Sequence, residues 1–125
     1  MSRFNFVKIV VTDIAAAESF YAEAFGFAVQ NRIDTPAFRE VMLAQKAGAF
    51  TLVLYHHTDG RLLENGNGWG PLGFIVRDCA ADHARLLGLG ASEVRAPATF
   101  GGMTVSFIAD PDGHEIELLQ LPAAS

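Results

Sequence analysis

Side chains able to move protons or hold charge fall at alternate positions of several strand-like runs: Lys8 in the first, Thr51, Tyr55 and His57 in another, and Glu115 and Glu117 in the last. Alternation sends residues i and i+2 to one face of a strand, so each set is expected to project from one side. A carboxylate among apolar neighbours can serve as a general base near neutral pH, as can an imidazole. Glu117 and His57 are therefore the candidate catalytic residues. His56 and His57 are adjacent and should point to opposite faces, so the two cannot grip one ion on that strand. His83 falls in a helical pattern and His114 in a turn. Cys79, the one cysteine, follows Asp78 at an expected helix start, a place where thiols can become reactive. A small core-facing residue is the simpler reading of it.

An internal repeat positions these groups. Phe6-Val7-Lys8-Ile9-Val10-Val11-Thr12-Asp13 returns as Pro71-Leu72-Gly73-Phe74-Ile75-Val76-Arg77-Asp78. Each octet reads as a strand that stops at an Asp able to cap the helix after it. Helices are expected over Ile14 to about Phe25 and Cys79 to about Leu87, each closed near a glycine, Gly26 and Gly90, in the left-handed conformation. Three strand-like runs follow each helix: 28–33, 39–44 and 50–56, then 92–96, 103–109 and 115–121. Turn signals separate them at Asp34-Thr35-Pro36, Lys46-Ala47-Gly48, Pro97 and Asp110-Pro111-Asp112-Gly113.

The unit is βαβββ, written twice. It predicts an α+β fold in a single domain, 1–125, with module one at about 4–57, a linker at about 58–70 and module two at about 71–121. The expected architecture is a curved, cleft-bearing mixed sheet with the helices on its outer face, because one such module buries its sheet poorly alone.

Alternation then sorts the faces. Val7, Ile9 and Val11, Leu72, Phe74 and Val76, Leu52 and Leu54, and Ile116 and Leu118 are uniformly apolar and should pack beneath the helices. The other face, the candidate cleft, carries Phe6, Lys8, Val10, Thr51, Val53, Tyr55, His57, Pro71, Gly73, Ile75, Glu115, Glu117 and Leu119. Ligand contact is expected from Phe6, Lys8, Val53, Tyr55, His57, Pro71 and Glu117. Trp69, at the end of a Gly/Asn-rich linker, either stacks on a ligand or packs its own loop down. Phe20, Tyr21 and Phe25 recur at helical spacing and belong to the core. Phe100-Gly101-Gly102-Met103 reads as a hairpin edge, and Arg39 and Glu40, opening a strand, are expected to be solvated.

Composition narrows the classes. Half of the residues are hydrophobic and 18% are charged, so burial can offset the ordering entropy and disorder is not expected. The formal charge is -5 with no Lys/Arg run, which argues against a nucleic-acid or acidic-membrane partner. The opening Met1-Ser2-Arg3-Phe4-Asn5 has no apolar signal core, and no run approaches the ~20 apolar residues of a bilayer span. With one cysteine and no internal disulfide, a cytoplasmic location is the expectation.

Two stretches carry a family resemblance. Phe6 to Asp13, followed by Ser19-Phe20-Tyr21 and Phe25-Gly26-Phe27, and then Ile108-Ala109-Asp110-Pro111-Asp112-Gly113-His114-Glu115-Ile116-Glu117-Leu118, resemble the signatures of the vicinal oxygen chelate superfamily, the glyoxalase, bleomycin-resistance and dioxygenase relatives. With the duplication, the resemblance spans nearly the whole chain. It implies a divalent metal held by one ligand at the start of each module and one on each module's last strand. Those positions fall here on Phe6, Val53, Pro71 and Glu117, and only Glu117 can ligate. Catalytic zinc needs about three protein ligands, so no metal and no other cofactor is expected. Glutathione-using glyoxalases place an Arg where this chain has Val10. Glyoxalase I and extradiol dioxygenase chemistry are therefore not expected.

Three readings remain open. One is a metal-independent binding protein that sequesters an aromatic or cationic small molecule, like the bleomycin-resistance relatives. Another is a metal-free lyase or isomerase with Glu117 or His57 as general base. The third is a non-catalytic interaction module in which Glu117 and Lys8 merely pair. The resemblance also implies a homodimer.

Overall fold

Two aspartates start the two helices. Asp13 is extended and accepts the amide of Ala16 at 3.0 Å, and Asp78 accepts that of Ala81 at 3.1 Å. Each cap answers one of the amides a helix leaves unpaired at its first turn, and replacing such a residue by Ala typically costs about 1 kcal/mol. In the computed structural model, which describes residues 2–123, helix α1 then runs Ile14–Phe25 and α2 runs Cys79–Gly88. Residues 1, 124 and 125, the outermost of the single-domain reading, lie outside the described residues. Gly26 closes α1 at φ 72°, its amide donating to Ala22 O at 2.9 Å, and Gly90 follows α2 at φ 107°. A side chain at either position would be strained, which is why glycine stands there.

The strands are β1 Phe6–Val10, β2 Ala28–Asp34, β3 Phe38–Ala44, β4 Thr51–His57, β5 Leu72–Ile75, β6 Ser92–Phe100, β7 Met103–Ala109 and β8 Glu115–Gln120. The chain divides into two compact units, one up to Glu64 and one from Asn65. The first holds a mixed sheet of order β1-β4-β3-β2, the second one of order β5-β8-β7-β6. In each, the first strand runs parallel to the last, and the remaining pairs are antiparallel. The βαβββ repeat read from the sequence is thus an α+β fold of two four-stranded sheets, each with its own helix.

In the first module, Ile9, Val11, Val41, Leu43, Leu52 and Leu54 are buried on the side packed against α1, together with Ala17, Phe20, Tyr21 and Ala24 of the helix. Tyr21 is fully enclosed, with Phe20 and Phe27 edge-on at 5.1 and 6.1 Å. Full burial of a Leu, Ile or Phe contributes roughly 1.5–3 kcal/mol, so this layer dominates the module's stability. In the second, Leu86 and Cys79 of α2 meet Ile108, Ile116 and Leu118. Val7, Leu72, Phe74 and Val76 share the apolar faces as expected but are only half-buried.

The turn expected at Pro97 is not one. Pro97 lies inside β6, within a shift of register between Arg95 and Ala98. β6 is the outer strand of its sheet, and an outer strand with a bulge is where a residue without an amide proton does least harm. The chain reverses instead at Gly101 and Gly102, with φ of 57° and 82°, the values a two-residue hairpin of this twist requires.

Candidate functional site

In the first module the face opposite α1 carries the chemistry. Register partners lie side by side on one face, and Lys8 is opposite Val53, which is opposite Met42, while Tyr55 is opposite Glu40 and His57 opposite Phe38. Glu40 is only 7% exposed. The expectation that it would be solvated fails, because Val41 and Leu43 turn toward the helix and leave Glu40 and Met42 on the other face. Lys8 Nζ reaches Glu40 Oε1 at 2.5 Å and stands 5.2 Å from the centroid of the Tyr55 ring. Tyr55 stacks on Phe38 at 5.2 Å with an interplanar angle of 13°, and meets His57 edge-on at 4.8 Å.

The interaction-module reading pairs Lys8 with Glu117; the partner of Lys8 is Glu40. A buried carboxylate left without a cation would carry a desolvation cost of several kcal/mol, and Lys8 supplies the cation. His57 also lines a crevice of about 510 Å³ at the carboxyl ends of the parallel strands β1 and β4, together with Val10, Thr12, His56, Arg61 and Glu64. His56 points to the other face, its Nδ1 3.0 Å from Val11 O. Arg61 is engaged by Asp59, with Nε 3.0 Å from each carboxylate oxygen, and that guanidinium holds the Asp59 carboxyl well below the usual carboxylate range.

The second module carries different groups at the matching places. Gly73 is opposite Glu117, and Glu117 is opposite Phe107. Matching the two ladders sets Gly73 where module one has Lys8, Val105 where it has Glu40, and Glu117 where it has Val53. The first face therefore holds an internally neutralised pair, whereas the second carries Glu117, with Glu115 two residues before it on the same side of β8. Glu117 is half-buried, and its carboxylate makes no hydrogen bond or ion pair among the described residues. Arg95 lies over Phe107 at 5.5 Å. Pro71 lies just outside β5, half-buried, and Trp69 is 90% exposed. The reading in which Trp69 packs its loop down is overturned; the short polar and glycine residues around it give the indole nothing to pack on.

The four positions from which relatives grip a metal do not fit one here. Phe6 offers a phenyl ring that is 56% exposed, Val53 an isopropyl group that is 4% exposed, and Pro71 a pyrrolidine. None has an electron pair to donate, and Glu117 alone does not make a divalent site. Among the described residues, no group of three or more His, Cys, Asp or Glu side chains is placed to hold an ion.

The chain belongs to the Glyoxalase/Bleomycin resistance protein/Dioxygenase superfamily, whose sequence model matches residues 3–118. It is 27% identical over 116 residues to a lactoylglutathione lyase of Neisseria meningitidis, covering 88% of this chain and 84% of that one. To a lactoylglutathione lyase of Arabidopsis thaliana it is 26% identical over 124 residues, covering 94% of this chain and 44% of the other. The chain thus spans less than half the length of the plant relatives it matches. Among solved structures it is similar to a glyoxalase family protein of Bacillus cereus, with a TM-score of 0.85 at 19% identity over 98% of this chain and 96% of that one. It is also similar to glyoxalase I of Zea mays, with a TM-score of 0.84 at 22% identity over 98% and 46%. At these identities the structural likeness shows the fold. No helix among the described residues is long and apolar enough to cross a membrane.

Proposed function

We propose that the chain is a metal-independent small-molecule-binding member of its superfamily, acting on an aromatic or cationic ligand. The observation that carries this reading is the ring series Phe38, Tyr55 and His57 beside the Glu40 carboxylate, on the sheet face away from α1. Flat aromatic walls with a few polar groups are the makings of a ligand surface, and aromatic rings with a carboxylate favour positive charge. Of the expected contacts, Lys8, Val53, Tyr55 and His57 share this face, with Phe6 at its margin. Pro71, Trp69 and Glu117 belong to the second module.

A thermal-shift panel of aromatic, cationic and neutral aliphatic compounds tests the reading. Aromatic or cationic members should raise the melting temperature by several degrees, as a ligand at about a hundred times its Kd adds roughly 2.7 kcal/mol. A flat response across the panel overturns it. A homodimer in a cytoplasmic setting goes with the proposal. Exposure of Phe4, Phe6, Phe50, Ile75 and Phe100 supports self-association, and light scattering at micromolar concentration decides it.

The second reading, a metal-free lyase or isomerase, is favoured by one observation. The Glu117 carboxylate has no side-chain partner among the described residues and is half-buried, between Gly73 and Phe107 in the sheet. A base needs such freedom to accept a proton. His57 would serve if the chemistry occurs on the first module.

A further inference from the structure

We propose that Lys8 is the built-in occupant of a cation site formed by Glu40 and Tyr55, and that an organic ammonium ligand binds by displacing it. The inference rests on the small-molecule reading above and gives its ligand a chemical class.

The argument begins with how far Lys8 reaches. It stands on β1, and Glu40 stands on β3, with β4 between them. Two strand spacings are about 9.5 Å, so the lysine stem must be laid across β4 beside its register partner Val53 to deliver the ammonium. Val53 is 4% exposed although it lies on the face without a helix, as a residue beneath a crossing methylene chain should be. The stem remains in reach of water, with the Lys8 side chain 42% exposed, while the Glu40 side chain is 9% exposed. The two ends of the pair are therefore unequal. Glu40 is fixed in the sheet and is costly to leave without a cation, whereas Lys8 can swing into solvent at little cost, as long flexible lysines do.

The ammonium lies 2.5 Å from the carboxylate and 5.2 Å from the centre of an aromatic ring that is itself stacked on Phe38. A carboxylate and a ring face together are what an organic ammonium seeks. Exchange keeps Glu40 neutralised throughout, so the buried charge does not oppose binding. A ligand carrying an aromatic group on its ammonium gains the faces of Tyr55 and Phe38, which a lysine stem does not use. Lys8 sets a threshold: a cation with no ring to add has little advantage over it.

The test uses benzyltrimethylammonium as probe and benzyl alcohol as its uncharged aromatic control, at constant ionic strength. Lys8→Met keeps the stem and removes the internal competitor. It should bind the ammonium on the order of tenfold more tightly than the wild-type chain, and Glu40→Gln should lose at least as much. Equal affinities in the wild type and Lys8→Met, or full binding to Glu40→Gln, overturn the proposal. A second measurement needs no variant. On titrating the wild-type protein, the Lys8 ε-methylene NMR resonance should move to the position of a solvated lysine with the ammonium and stay still with benzyl alcohol. An unmoved resonance at saturation overturns the proposal even if other compounds in the thermal-shift panel bind, and the broader reading then stands without it.

Discussion

The imidazole of His83, on the inner side of α2, shares a 2.9 Å hydrogen bond with the hydroxyl of Ser106 on β7. Its other nitrogen lies 2.8 Å from Glu93 Oε2 on β6, and the Cys79 thiol donates to Ser106 Oγ at 3.4 Å. Facing a carboxylate, which can only accept, Nε2 donates to Glu93. Serine, histidine and a carboxylate in that order can be a nucleophilic relay, but Ser106 is wholly enclosed beneath the helix and no substrate reaches it. The arrangement fastens α2 to the sheet.

His83→Ala should therefore lower stability by about 2–4 kcal/mol, combining lost packing with buried polar atoms deprived of a partner. Urea unfolding measures this. A loss below about 0.5 kcal/mol, the range of ordinary surface changes, would mean the relay does not hold the helix.

Cys79 should be silent toward a thiol reagent such as dithionitrobenzoate in the native protein and react fully in urea, since its sulfur is buried and hydrogen-bonded. Fast reaction in the native state would restore the reactive reading of its place at the helix start.

Glu117→Gln separates the two functional readings. If the chain is a binder, thermal-shift responses persist and no turnover exists to lose. If it is a lyase or isomerase using Glu117, turnover falls by about 10²–10⁴, the usual contribution of a general base, while ligand binding stays within a few-fold. Because Phe6, Val53 and Pro71 offer a metal no donor atom, the purified protein should form no lactoylglutathione, with or without added zinc or nickel. Metal-dependent activity abolished by a chelator would overturn the metal-independent proposal.

The loop that follows β4 should respond to acid in a defined sense. Asp59 is lowered in pKa by its hydrogen bonds to Arg61. A carboxylate lowered in the folded state contributes its stabilisation above its unfolded value, about 3.9, and loses it as pH falls through the lower folded value. The Asp59 carboxyl carbon, followed by NMR, should titrate below the value of an unstructured aspartate, about 3.9, and Arg61→Ala should bring it back. Both groups are exposed, so global stability should hardly change.

The repeat, the caps and the strand faces were legible because each is local: an Asp before a helix, a glycine after it, an alternation within seven residues. Glu40 was legible in principle. Val41 and Leu43 mark the helix side of β3 and assign Glu40 to the other, a signal masked by reading Arg39 and Glu40 together as a polar strand opening. That Lys8 would take Glu40 as partner was not legible, for it depends on β4 lying between β1 and β3. The His83 relay likewise needs the packing of α2 on β6 and β7. Pro97 misled because its local meaning as a turn residue yields to a bulge on an outer strand.

The boundary at Glu64 and Asn65 has its own consequence. All strand pairing described here is completed among β1–β4 or among β5–β8, and Asn65 binds back to Asp112 O within its own half at 3.0 Å. Backbone hydrogen bonding is therefore indifferent to which half is translated first. A circularly permuted gene could place the second half ahead of the first without asking any strand to find a new neighbour.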